Sequence, residues 1–518
     1  MFSKFNNTKM EYVQIPAGTE SISARAFQGN KQIKKIVIPD SVTTIGEYAF
    51  SDCDKLESVV IPDSVKNIGD GVFDYCISLK EVKLPRYLKR VGKYSFFNCS
   101  VETVVIPDGV KEIGDYAFWC CESLKTLVIP DSVIEIGENA FNYCTSLESI
   151  VISNRVTKIK KGTFSNCRSL KKIVIPEGVT VIGECAFDGC SSLQSIVIPG
   201  SVTKVGYSAF EDCGSLESIV LPNGLKEIGN YAFMNCKSLK LITLPDSLKR
   251  KGYALFAGCG KDLQINGSQF RVSEGLVLTA DGCRVNSCLD VQDVVFPVGV
   301  KEIGDSAFLN CSLKTAIIAD GVKGIGDCAF AGCALLESVV MPNSLTKIGE
   351  CAFQDCKSLQ SIAFPYSLVT IGDSAFSGCI LLHSAIIPEE IKTVGMFAFN
   401  DCISLESIVI PNSLNAIGEQ LFGNCRSLKS IVVPQSVTDI MFAAFDGCVS
   451  LESVVIVNGE VKVWGDVFRN CPSLKKICVP CGTKERFASM PALKDHRENI
   501  EEMELTNKKF TTSNHEAQ

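Results

Sequence analysis

The stretch IPDSVTTIGEYAFSDCDKLESVV, Ile38 to Val60, decides the fold. It closes with LESVV and runs on into IP, so that Leu56, Val59 and Ile61 form the inner edge of a short strand and Pro62 ends it. Proline cannot donate into a sheet ladder, which makes it a natural stop. Val65 to Ile68 supplies a second inward apolar pair. Gly69 is expected to permit a tight bend, and the chain around Phe73 to turn through a helical or 3₁₀ loop before the next strand.

The same unit recurs along almost the whole chain. Phe stands at Phe27, Phe50, Phe73, Phe96, Phe118, Phe141, Phe164, Phe187, Phe210, Phe233 and Phe256, and after a gap at Phe308, Phe330, Phe353, Phe376, Phe399, Phe422, Phe445 and Phe468. The steps are 23 residues except for two of 22 and one of 52, across nineteen copies. One copy cannot bury its own apolar face, whereas stacked copies can, so the pattern predicts a repeat solenoid with parallel strands.

Composition agrees with a packed, non-fibrous body. Of 518 residues, 46% are hydrophobic and 21% charged, which excludes a wholly disordered chain. The net charge of −7, from 51 basic and 58 acidic residues, disfavours nucleic acid as a partner. Three His leave little room for a His-rich metal centre, and no metal or other cofactor is expected. No apolar run approaches the ~20 residues of a membrane helix, and the opening MFSKFNNTKMEYVQIP is too polar for a signal peptide. A cytoplasmic location is therefore the expectation from sequence.

The strings IPDSVTTIGEYAFSDC, IPDGVKEIGDYAFWCC and LPNGLKEIGNYAFMNC resemble leucine-rich repeats of the BspA type, found in bacterial and protozoan proteins, many of them surface-exposed. The resemblance covers roughly residues 12–481. It implies a right-handed horseshoe or arc with a parallel β-sheet along one face, and binding or adhesion rather than catalysis. It also implies a cell-surface or extracellular location as the alternative to a cytoplasmic one.

The expected organisation is a degenerate N-terminal capping repeat (1–30), a first array (31–259), a β-hairpin insertion (260–297), a second array (298–481), a C-terminal cap (482–502) and a disordered tail (503–518). Within the insertion, alternating apolar residues flank Ala280-Asp281-Gly282, and an Asp-Gly pair suits a tight turn, so Phe270–Val285 is expected to form the hairpin. It is either a tolerated surface insertion or a hinge or binding protrusion. Phe487 and Leu493 are positioned to cover the last coil.

Eighteen of the 26 Cys stand three residues after the repeat Phe, from Cys53 through Cys144, Cys190 and Cys213 to Cys471; the first copy has Asn30 instead. With Phe50, Phe73, Phe141, Phe187 and Phe210 they are expected to form a buried structural ladder of reduced thiols. Cys478 and Cys481 have the spacing of a redox motif without the surrounding βαβ pattern, and Cys283 and Cys288 lie close enough to bridge if the chain is exported.

Outward columns carry the functional reading. One alternates in sign from copy to copy: Lys34, Glu57, Lys80, Glu102, Lys125, Glu148, Lys171. Such alternation fixes register, keeps the face soluble and prevents a single-sign field from building up. Another is rich in Val: Val60, Val105, Val128, Val151, Val174, Val197 and Val220, with Ser149, Ser195 and Ser218 beside it. These residues are the candidate binding face for a protein or glycan ligand, although strand propensity alone also favours Val there. No phosphate loop, nucleophile elbow or zinc-protease motif is present, so an enzyme is the least expected reading, after a self-associating structural module.

Overall fold

The computed structural model describes residues 11–503. The chain divides between Val272 and Ser273 into two compact units. Residues 1–10 of the expected N-terminal cap and 504–518 of the expected tail lie outside the described residues.

The first unit is a parallel β-solenoid. Each turn opens with a three-residue strand whose middle side chain points inward, as in Ser149–Val151, Lys172–Val174 and Ser195–Val197. The strands stack in register one repeat apart: Lys35 with Ser58, Ile36 with Val59 and Val37 with Val60. Pro then closes the strand, and a two-residue strand such as Asn67–Ile68 or Lys204–Val205 begins a second parallel sheet with its apolar member inward. Alternation of inward and outward side chains is what lets so short a strand serve both core and surface.

The side of the coil that carries Phe is neither helix nor 3₁₀. The residues two before and two after the repeat Phe adopt left-handed backbone in all copies but the last, where Gly465 replaces the first of them, with φ of 53° at Tyr48, 58° at Asp52, 63° at Gly71 and 57° at Tyr75. Two such residues per turn break any continuous helix. In return they aim backbone N–H groups along the solenoid: Tyr48, Phe50 and Asp52 donate to the carbonyls of Asp70, Val72 and Asp74 at 2.9, 3.0 and 2.7 Å. A left-handed non-Gly residue costs roughly 1 kcal/mol or more, which satisfied backbone donors offset.

The repeat glycine has a different role from the one the sequence suggests. Gly69 does not need left-handed backbone; instead, a Cβ placed there would lie 2.5 Å from the Glu47 nitrogen and 2.8 Å from the Gly46 carbonyl carbon of the preceding turn. Gly137, Gly206 and Gly229 meet the preceding turn in the same way, at 2.3 to 2.6 Å. Glycine stands here because neighbouring coils touch backbone to backbone.

The second unit begins with an antiparallel pair, Leu276–Thr279 with Arg284–Cys288, joined through Asp281 and Gly282. Phe270–Ser273 is a strand as well, so the interruption spans the expected Phe270–Val285 and runs on to Cys288, with an added turn at Glu274 and Gly275, at φ 50° and 74°. Arg284–Cys288 then pairs in parallel with Glu302–Ile303, and the 23-residue coil resumes. After Lys476–Pro480 come a short helix, Lys484–Ala488, and a 3₁₀ stretch, Pro491–Asn499, which bury Phe487 and Leu493. Ile500–Met503, at the end of the expected cap, adds a parallel strand to Lys476–Pro480 through buried Ile500. Among the described residues no helix is long and apolar enough to cross a membrane.

Candidate functional site

The core columns position the face. Phe50, Phe73, Phe141, Phe187 and Phe210 are all buried, and successive rings stack nearly parallel: 5.6 Å between Phe50 and Phe73, and 5.4 Å between Phe187 and Phe210. In the first unit the ladder ends on Phe270, whose ring meets Phe256 edge-on at 6.2 Å. In the second unit, His496 meets Phe468 edge-on at 6.0 Å. An edge-to-face contact suits the quadrupole of a ring whose stacked neighbour is missing.

The ladder cysteines hydrogen-bond in a column of their own. Cys53, Cys144, Cys190 and Cys213 each donate a thiol to the carbonyl of the Phe one turn earlier, at 3.2, 3.1, 3.1 and 3.2 Å. Those carbonyls already accept a backbone N–H, as Phe118 does from Cys121 and Phe164 from Cys167, and the small thiol fills the second lone pair. Asn30 occupies this place in the first copy and uses its Oδ1 on the N–H groups of Gln32 and Ile33. Burial pushes the thiols of Cys144, Cys190 and Cys213 well up, so they are inert.

On the other side of each strand lies the candidate face of the first unit. Val60, Val105, Val128, Val151, Val174, Val197 and Val220 are 59 to 79% exposed. Val174 and Val197 are direct cross-strand partners, as are Val128 and Val151. Ser149, Ser195 and Ser218 are exposed one column away, and Ser195 pairs with both Lys172 and Ser218. Lys83 interrupts the Val column and Lys172 the Ser column, so neither is unbroken. A groove of about 480 Å³ runs over Val128, Val151 and Val174 and is bordered by Pro130, Pro176, Asp131 and Asn154. A smaller one, about 350 Å³, lies between Val37, Val60, Pro62, Asp63 and Lys83.

The surrounding acids are mostly committed to holding turns together. Asp63 accepts from the Arg86 backbone N–H at 2.8 Å and from its guanidinium at 2.7 Å, and both hold its carboxyl below the usual range. Asp131 accepts from the Asn154 N–H at 3.3 Å. In the alternating column, Lys34 reaches Glu11 at 2.9 Å, Lys171 reaches Glu148 at 3.3 Å and Lys429 reaches Glu406 at 3.6 Å. Exposed pairs of this kind contribute ~0–1 kcal/mol, so their value lies in register.

Two features escaped the sequence: the paired left-handed positions beside the repeat Phe and the backbone contact behind most of the repeat Gly. The position two before Phe is occupied by residues as unlike as Arg25, Tyr48, Cys185 and Ser208, whereas the position two after it is Gly, Asn or Asp in most copies, as at Gly29, Asp52 and Asn98, the types that favour left-handed backbone. Among the described residues, no group of three or more His, Cys, Asp and Glu gathers as a metal site.

Six matches to the BspA type leucine rich repeat region cover residues 2–125, 67–191, 111–237, 158–269, 285–402 and 370–490. Among solved structures, the chain is similar to a leucine-rich repeat protein from Bacteroides ovatus at 25% identity, covering 82% of this chain and 87% of that one with a TM-score of 0.41. It is also similar to a leucine rich cell surface protein from Faecalibacterium prausnitzii, at 25% identity, 86% and 87% coverage and a TM-score of 0.31. A T. pallidum leucine rich repeat protein matches at 28% identity, over 42% of this chain and 91% of that one, with a TM-score of 0.32. No match was found among curated proteins. With the repeat matched over nearly its full length, the chain belongs to the BspA-type leucine-rich repeat family.

Proposed function

We propose that the protein is a non-catalytic binding scaffold whose outward sheet face in the first unit takes a protein ligand. The observation that carries this reading is the column of exposed Val, 59 to 79% exposed, standing over a groove that crosses three strands. Water-exposed apolar area of this extent is stabilised by being covered, and fully burying one Val is worth about 1.5–3 kcal/mol. A glycan is the second ligand class, favoured by the hydroxyls of Ser149, Ser195 and Ser218. It ranks lower because the column from Val60 to Val220 carries no aromatic ring on which a sugar would stack.

The test compares the native chain with a Val174→Glu/Val197→Glu variant as immobilised bait. A specific partner held by the native chain and lost from the variant, with the fold of both confirmed by thermal melting, supports the reading. A partner held equally by both removes the face from the function. Self-association is the competing structural role, and a strict monomer by light scattering across concentration ends it.

A further inference from the structure

Of the 26 cysteines, Cys120, Cys185, Cys283, Cys328 and Cys351 are half-buried and Cys481 is exposed. Among these, Cys328 and Cys351 stand in the same column on adjacent turns. The strands before them pair Ile325 with Ile348, and the Cys328 N–H donates to the carbonyl of Glu350 at 2.7 Å, one residue before Cys351. Both residues are two before a repeat Phe, with left-handed φ of 52° and 51°. Rungs of a parallel stack lie ~4.8 Å apart, inside the Cα range of a disulfide. Each thiol is close enough to perturb the ionisation of the other. Unlike the ladder cysteines, they are not committed to a Phe carbonyl and are open to a small reagent.

We propose that Cys328 and Cys351 form an inter-turn dithiol site that a cationic low-molecular-weight disulfide oxidises to a cross-link.

Cys351 attacks first. Burial raises both thiols, Cys328 up to about 11, whereas the neighbouring Cys328 thiol offsets part of the rise at Cys351. The Cys351 thiolate, having lost its proton to solvent, displaces one thiolate from the reagent RSSR and forms a mixed disulfide; the departing RS⁻ takes up a proton. Cys328 then attacks the Cys351 sulfur and expels the second RSH. Two protein thiols are oxidised, one reagent disulfide is reduced to two thiols, and no other reactant is needed.

The charge around the pair selects the reagent. Asp305, Asp327, Glu350 and Asp373 act on the pair and outnumber Lys347, which lines a groove with three of them, so a second negative charge is disfavoured. Asp327 is itself fixed by accepting the Glu350 N–H at 2.9 Å. Cystamine, which is cationic, is therefore expected to react faster than anionic glutathione disulfide by about tenfold at low salt.

The experiment treats the full-length reduced protein with cystamine at pH 8 and follows intact mass and peptide maps. In the peptide map the Cys328 and Cys351 peptides are expected to be joined, two hydrogens lighter than the sum of their reduced forms, whatever adducts form on Cys120, Cys185, Cys283 and Cys481. Cys328→Ser is expected to stop at one cysteamine adduct on Cys351. Ser is compatible with the site, since Ser306 and Ser374 hold the same column at φ 52° and 53° on the flanking turns. Independent cysteamine adducts on both residues without a cross-link, or no reaction at either, would overturn the proposal. Equal rates with cystamine and glutathione disulfide would overturn the charge selection.

Discussion

At the scale of single residues, the protein turns on how closely two coils can approach. At Gly206 an added methyl would sit 2.6 Å from backbone atoms of Glu184 and Gly183. Backbone cannot move aside as a flexible side chain can, so Gly206→Ala is expected to cost at least about 2 kcal/mol. Gly418 occupies the same repeat position but its nearest neighbour, the Met396 Cα, is 3.7 Å away. Gly418→Ala is expected to be neutral or to stabilise by up to about 1 kcal/mol, because it only narrows the unfolded ensemble. Denaturant melts of the two variants measure the contrast, and similar losses would show that inter-coil contact is not the reason for Gly. Sequence displays the two glycines as equivalent; only the distance to the next coil separates them.

At the scale of the repeated elements, the Phe column is the main source of cohesion. Phe187 is fully buried between Phe164 at 5.5 Å and Phe210 at 5.4 Å. Phe187→Ala should cost about 3–5 kcal/mol through the cavity it opens. Phe27→Ala should cost less, because the coils at the start of the solenoid open locally before the middle does. Urea melts of both variants check the ordering. The acids beside this column add a pH dependence. Burial, then Glu211 and Asp212, push half-buried Asp188 up to about 6. Its folded-state pKa thus lies above the unfolded value near 3.8. Folding favours the protonated form, so the penalty is absent below about pH 4, grows through pH 6 and is complete above it. Asp188→Asn is expected to stabilise the protein at pH 7.5, by about 1 kcal/mol after solvent screening, and to have little effect at pH 4. Thermal melts at the two pH values decide it, and a stabilisation independent of pH would count against burial as the cause.

For the molecule as a whole, the cysteines report on integrity. Most are enclosed in the ladder, whereas Cys120, Cys185, Cys283, Cys328, Cys351 and Cys481 are half-buried or exposed. A thiol reagent added to the native, reduced protein is expected to reach only those six, and the rest should react no faster than the coils unfold. In denaturant without reductant the count should come close to 26. Rapid native labelling of Cys190 or Cys213 would mean that the coils are not closed around their core.

Sequence by itself determined the repeat, its period, the inward Phe and Cys columns and the outward Val column. Each is a chemical identity returning at a constant spacing, and identical modules can satisfy their apolar faces only by stacking. Tertiary structure alone decided which carbonyl each thiol serves, which repeat Gly makes room for a neighbouring backbone, and that the varied residue two before the repeat Phe turns left-handed. Those properties belong to pairs of atoms one coil apart rather than to any residue type. The added turn at Glu274 and Gly275 and the strand at Ile500–Met503 were likewise settled by packing. There the local pattern is weak, and the neighbouring strand supplies the hydrogen bonds that the polar sequence does not advertise.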